Sequence, residues 1–195
     1  MRDRQHFPGV IRMDHLTRYQ HAVTFAKSPV LDAACGMGYG AHGLAVEGYE
    51  VTAVDIDPDA ISMALTWYDD EKVIQWIKGD ILARPWGEQK FRTIVCFETL
   101  EHLEDAPKAV RLFRESATDD GMLIASVPNQ DVMPFDPDNF TGDVWPHKRH
   151  YTPAEFDALL SEGGWKVIHR GTQGKTTPVR NGTDSKFLVF TCEPA

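Results

Sequence analysis

Apolar and polar positions along this chain switch repeatedly between two periods. Short, mostly aliphatic runs fall at 29–32, 51–55, 73–77, 91–97, 121–127, 165–170 and 187–192. Runs of that length bounded by turn residues predict buried strands. Between them, apolar residues recur every three or four positions, as with Leu16, Tyr19, Ala22, Val23 and Ala26. That spacing predicts a helix over 14–26 with Asp14 as its N-cap. Further helices are expected over 41–46, 58–68 and 105–117. In the second of these Pro58 takes the first turn behind a capping Asp57. Thr152-Pro153-Ala154-Glu155 carries a capping-box pattern and opens a last helix that closes at Gly163-Gly164.

Strands alternating with helices of this length predict an α/β fold, a doubly wound and mostly parallel sheet of seven strands. Residues 1–195 read as a single domain, with 1–28 forming an N-terminal lid or packing helix. One interval breaks the rhythm. Residues 128–151 hold prolines, several acids and the basic group His147, Lys148, Arg149 and His150. Loops that long inside a compact domain tend to be functional, and this one leaves the fifth strand at its ligand-binding end. It is the expected substrate-facing wall, with Phe140 and Trp145 as acceptor contacts.

The first strand ends in Val30-Leu31-Asp32 and runs into Ala33-Ala34-Cys35-Gly36-Met37-Gly38-Tyr39-Gly40. Glycines in such a turn allow positive φ and a close approach of the backbone to a ligand. The second strand ends in Asp55, where a carboxylate can accept both hydroxyls of a ribose. Together they point to an adenosine-containing cofactor. Gly36-x-Gly38-x-x-Ala41 also fits a relaxed dinucleotide fingerprint.

Acidic residues outnumber basic ones, 29 to 20, for a formal charge of −9. That balance disfavours a nucleic-acid partner. Cys35, Cys96 and Cys192 are odd in number and lack metal-knuckle spacing, which suggests a reduced, cytoplasmic setting. The N-terminus shows no signal-peptide core, and no apolar stretch reaches the ~20 residues of a membrane span.

The later motifs separate the cofactor alternatives. Lys78-Gly79-Asp80-Ile81 follows the third strand, and the fourth runs directly into Glu98-Thr99-Leu100-Glu101-His102-Leu103. In order and spacing, across nearly the whole chain, this series resembles the class I S-adenosylmethionine-dependent methyltransferases. The resemblance implies that Gly36 and Gly38 underlie the methionine portion, Asp55 holds the ribose, and Asp80 reads the adenine amine beside Ile81. Ala34, Ile56 and Phe97 at neighbouring strand ends, with Tyr19 and Asp32, complete the expected cofactor set. Arg18 and Tyr19 are placed either to close over the methionine carboxylate or simply to pack. The resemblance also implies an antiparallel C-terminal strand pair.

Glu98, Glu101 and His102 are spaced i, i+3, i+4, so a helix beginning after the fourth strand would project all three from one face. They form three legs of a mixed oxygen/nitrogen metal site, with His147 or His150 available as a fourth. The pattern resembles two metal-dependent O-methyltransferase groups, acting on ubiquinone precursors and on the 3′-terminal ribose of small RNAs. The second resemblance favours His147, five residues before Thr152. Such a ligand set suits Mn, Co, Fe or Zn better than Mg. The same acids also suit the solvated start of a helix.

The leading expectation is metal-assisted O-methylation of a small hydroxylated acceptor: a sugar, a quinone-like ring or a natural product. One alternative is metal-free N- or C-methylation with His102 or His150 as base. Others are ribose methylation of RNA and a binding module without catalysis. A homodimer is compatible with all of these.

Overall fold

The computed structural model describes residues 13–68, 74–137 and 146–195. The expected alternation is present: α1 (Met13–Val23), β1 (Val30–Ala33), α2 (Tyr39–Val46), β2 (Val51–Asp55), α3 (Pro58–Tyr68), β3 (Ile74–Lys78), β4 (Phe91–Phe97), α4 (Ala106–Ser116), β5 (Ala117–Pro128), α5 (Pro153–Glu162), β6 (Trp165–Gln173), β7 (Arg180–Asn181) and β8 (Phe187–Pro194). The strands form one sheet in the order β3-β2-β1-β4-β5-β8-β6-β7. The first five pair in parallel, while β8 runs antiparallel to both β5 and β6. Sequence order reverses between β1 and β4. In open α/β sheets that switch point opens the ligand crevice at the strand carboxyl ends.

Burial follows the pleat. Every residue of β1 and β2 is buried, as expected of central parallel strands covered on both faces. On one face Phe113, Phe156, Leu160 and Trp165 seat α4 and α5; on the other Ala22, Leu44 and Ile61 seat α1, α2 and α3.

Three local expectations are corrected. Asp14 does not cap α1; it lies inside the helix, buried, with its carboxylate 3.4 Å from Arg18. The sheet has eight strands, because Arg180–Asn181 adds a short edge strand against Gly171 and Thr172. No helix follows β4 directly; a short 3-10 turn, Leu100–His102, stands there instead. Two later helix starts are capped. Asp105 caps α4 by accepting from Lys108 N, and Thr152 with Glu155 forms a complete capping box.

Asn129, fully buried just after β5, ties the departing loop to the C-terminal hairpin. Its Nδ2 donates to the carbonyls of Thr183 and Ser185, and its backbone N–H donates to Lys186. No helix among the described residues is long and apolar enough to cross a membrane. The three cysteines are free and buried.

Candidate active site

A cavity of about 330 Å³ opens at the switch point. Asp55 and Ile56 after β2, with Gly79, Asp80 and Ile81 after β3, line one part of it. Ala34, Cys35 and Gly36 form the floor, and Phe97, Glu98, Thr99, His102 and Leu103 line the part nearest β4. His15 and Tyr19 of α1 and Tyr39 of α2 complete the wall.

The glycine turn is built as its chemistry requires. Gly36 has φ +55, and a Cβ there would meet no atom within 4 Å, so its bare face is a cradle for a ligand. Its N–H donates to Asp55 Oδ2 at 2.7 Å, while Asp57 N–H donates to Oδ1 at 2.9 Å. Asp55 therefore holds two turns together as well as facing the cavity. Burial raises its pKa, and these two donors oppose the rise. Gly38 does not line the cavity; a Cβ there would lie 2.5 Å from the Trp76 ring. Asp80 Oδ1 accepts from Leu82 N and caps the 3-10 turn Ile81–Ala83.

α1 is drawn tightly over this turn. A Cβ on Gly40 would fall 1.9 Å from the Tyr19 ring, so only glycine admits the helix. The Tyr19 hydroxyl donates to Asp32 at 3.0 Å, and the ring packs edge-on against Phe97. Asp32 is one shell behind the cavity wall. Burial pushes its carboxyl up to about 7, with the Tyr19 bond working against the rise and Asp55 adding to it.

Beyond β4 the backbone departs from a helix. Glu98 has φ +48, a left-handed conformation that a side chain rarely adopts. Glu98 is instead engaged by Ser126 and Arg18. Its Oε1 accepts from Ser126 Oγ at 2.7 Å and lies 3.4 Å from Arg18 NH1. The i, i+3, i+4 face expected from the sequence is therefore absent. Arg18 is itself fully buried, its Nε donating to Gln173 Oε1 at 2.7 Å. It does not line the cavity.

Glu101, His102 and His147 do come together: one donor atom from each lies within 4.8 Å of the others. Glu101 is fully buried, and neither carboxylate oxygen has a hydrogen-bond partner among the described residues. Burial, then the nearby Glu98 charge, raises its pKa well above the carboxylate range. The loop returns here because Lys148 N donates to Glu101 O at 2.7 Å and the Tyr151 hydroxyl donates to Leu100 O.

His150 is buried behind this group. Its Nδ1 faces the Met133 carbonyl, which can only accept, so the proton resides on Nδ1 and Nε2 is the acceptor. Then His147 Nδ1–H donates to His150 Nε2 at 2.8 Å. Burial lowers the His150 pKa, which keeps the ring neutral for this role.

A family model described as a methyltransferase domain matches residues 6–170. The chain belongs to the class I methyltransferases. A probable S-adenosylmethionine-dependent methyltransferase of Mycobacterium tuberculosis is 31% identical over 136 residues, covering 70% of this chain and 48% of that protein. A ubiquinone biosynthesis O-methyltransferase of Xylella fastidiosa is 28% identical over 135 residues, covering 67% and 52%. The chain spans about half the length of these curated relatives. Among solved structures, the CcbJ methyltransferase of Streptomyces caelestis superposes with a TM-score of 0.81 at 19% identity, over 97% of this chain and 93% of that one. The glycopeptide N-methyltransferase MtfA complexed with S-adenosylmethionine gives 0.73 at 17% identity, over 97% and 99%. At such identities the structural likeness establishes the fold.

Within this methyltransferase cavity the structure gathers Tyr19, Ala34, Gly36, Asp55, Ile56, Asp80, Ile81, Phe97, Glu98 and His102. Asp32 and Gly38 support it from behind. Phe140 and Trp145 lie outside the described residues. His15 and Tyr39 were missed, although a signal existed. His15 lies one helical turn before Tyr19, and Tyr39 directly follows Gly38.

Proposed function

We propose that this protein transfers a methyl group from S-adenosylmethionine to a hydroxyl of a small acceptor, assisted by one divalent cation. Family membership and the Gly36–Asp55–Asp80 cavity support the cofactor. The observation that carries the metal is the buried Glu101 carboxylate, unpartnered among the described residues and grouped with His102 and His147. A carboxylate taken out of water without a donor is costly unless protonated or bound to a cation. Arg18 is already flanked by Asp14 and Glu98, each at 3.4 Å, and acts on Glu101 only through its field, so added positive charge is favoured beside Glu101.

Glu101, His102 and His147 would hold the ion, and a set of one oxygen and two imidazoles suits Mn, Co, Fe or Zn. The ion would supply Lewis acidity, lowering the pKa of acceptor oxygens bound to it. The cofactor supplies an electrophilic methyl on sulfur. The chain's own residues do the rest. Tyr19 and Phe97 exclude water, Asp55 orients the nucleoside, and His150 fixes the tautomer of His147. His102 is the one residue shared by the cavity and the metal group. In the second reading, metal-free methylation, it is the better base, because His150 is spent on His147 and Met133.

The test is a Mn²⁺ titration of chelator-stripped protein by calorimetry, followed by assay with 3,4-dihydroxybenzoate as a probe catechol. Stoichiometric Mn²⁺ binding that Glu101→Gln abolishes, with S-adenosylhomocysteine affinity preserved, supports the assignment. Absence of Mn²⁺, Co²⁺ and Zn²⁺ binding sinks the metal and leaves the His102 reading.

A further inference from the structure

Two imidazoles meet where the last turn of α1 packs against β6, and neither lines the cavity. The His21 and His169 ring centroids lie 5.5 Å apart, with the planes tilted by 35°. Among the described residues, His21 Nε2 and His169 Nδ1 are both buried and neither has a hydrogen-bond partner. Buried polar atoms in native proteins are nearly always paired, so two orphans on neighbouring rings point to a shared partner.

The spacing distinguishes the partner. Two imidazoles on one tetrahedral ion, with metal–nitrogen bonds of ~2.0–2.1 Å, hold their centroids about 5–6 Å apart. A bridging water, with hydrogen bonds of about 2.9 Å in the same geometry, sets them about 6.5 Å apart. The observed separation fits the ion. The tautomer fits as well. Asn181 Oδ1 can only accept, so His169 Nε2 carries the proton and Nδ1 the lone pair. Ligating histidines are held through their second nitrogen in this way. Burial, then the neighbouring His169, lowers the His21 pKa to about 4, so that ring is neutral at pH 7. Both rings stand on fixed backbone. The Thr24 N–H and hydroxyl donate to the His21 carbonyl, and β6 carries a bulge at Ile168, a device that re-aims adjacent side chains. Phe25 packs edge-on against His21 at 5.1 Å and shields the pair.

We propose that His21 and His169 form a two-imidazole site for a divalent cation of the zinc or copper kind, with solvent completing its shell, that clasps α1 to β6. Two neutral nitrogens supply no charge, which favours the ions that bind imidazole most tightly. The clasp rests neither on the cofactor nor on the group at Glu101. Its effect is mechanical: α1 carries Tyr19 into the cavity wall, and the ion would hold that helix down two residues further on.

The test is Zn²⁺ calorimetry on the chelator-stripped full chain carrying Glu101→Gln, which removes the carboxylate of the cavity group. This host should bind one Zn²⁺. Adding His21→Phe or His169→Phe should weaken binding more than about 100-fold, beyond the loss of an outer-shell partner. Adding Asn181→Ala, which removes the residue orienting His169, should weaken it about 10-fold. Zn²⁺ at about 100 times its Kd should raise the host's melting temperature by about 5–10 °C, and the His21→Phe protein should not respond. Phenylalanine keeps the ring volume, and Asn181 is exposed, so at least the Asn181→Ala reading survives if a ring variant fails to fold. A host that binds no Zn²⁺, or binds it with an affinity indifferent to these substitutions, overturns the clasp. Either result leaves Mn²⁺ binding at Glu101 and the methyl-transfer reading untouched.

Discussion

Arg18 NH1 lies 3.4 Å from Glu98 Oε1, with the guanidinium fully buried and the carboxylate side chain 14% exposed. This contact joins the N-terminal helix to the residue that leaves β4 in a left-handed conformation. Phe187 packs under the guanidinium at 4.5 Å, and Gln173 receives its Nε–H. Removing one partner of a buried pair leaves the other charge uncompensated. Arg18→Met should therefore cost about 3–5 kcal/mol in urea unfolding. Arg18→Lys should recover only part of that, because an ammonium cannot reach Asp14, Glu98 and Gln173 together. A loss below about 1 kcal/mol would show the contact to be incidental.

Asp32 makes stability depend on pH. Burial raises its carboxyl from 3.8 to about 7, so the folded protein holds a proton that the unfolded chain releases. Its stabilising contribution is complete below about pH 4 and is lost as pH rises to about 7. The span is worth about 4 kcal/mol. Asp32→Asn should match the native protein near pH 4 and exceed it at pH 8 in denaturant midpoint. Parallel pH profiles for the two proteins would refute the assignment.

Gly40 faces the Tyr19 ring with no room for a methyl group. Gly40→Ala should cost about 1–3 kcal/mol by overpacking and weaken S-adenosylhomocysteine, since Tyr19 must leave Asp32. Adding Tyr19→Ala should make the second change nearly free. A double-mutant cycle with no coupling energy would mean that α1 adjusts elsewhere.

His150 lies buried between His147 and Met133. His150→Phe keeps the volume and removes the acceptor that fixes the His147 tautomer. Mn²⁺ affinity should fall about 10- to 100-fold, as for other outer-shell partners, with S-adenosylhomocysteine affinity unchanged. Unaltered Mn²⁺ affinity would make His150 a packing residue only.

Much of this site is legible in the sequence because its logic is local. The strand–glycine–helix turn, the acid ending β2 and the capping box at Thr152 need only neighbouring residues to declare themselves. Glu98, Glu101 and His102 were visible as a group, but their geometry was not. Positive φ at Glu98 and a 3-10 turn replace the regular helix that the spacing suggested. Arg18 was legible as a helix position and illegible as a partner, because Gln173 stands 155 residues away. The edge strand at Arg180–Asn181 is short and exposed, with no apolar period to announce it. His147 is singled out in the sequence only through resemblance, five residues before Thr152; the backbone bond from Lys148 to Glu101 that brings it to the group is encoded by no local pattern.

Asn129 fastens the start of the 128–151 segment to the turn between β7 and β8. The exit of β5 is therefore held from two sides, one of them more than fifty residues downstream. Substitutions in the stretch Thr183–Lys186, where Asp184 alone is exposed, are therefore felt at the exit of β5, while Asp55 and Asp80 keep backbone partners of their own after β2 and β3. Asn129 thus acts as a staple: what loosens the C-terminal end of the sheet loosens the exit of β5 with it.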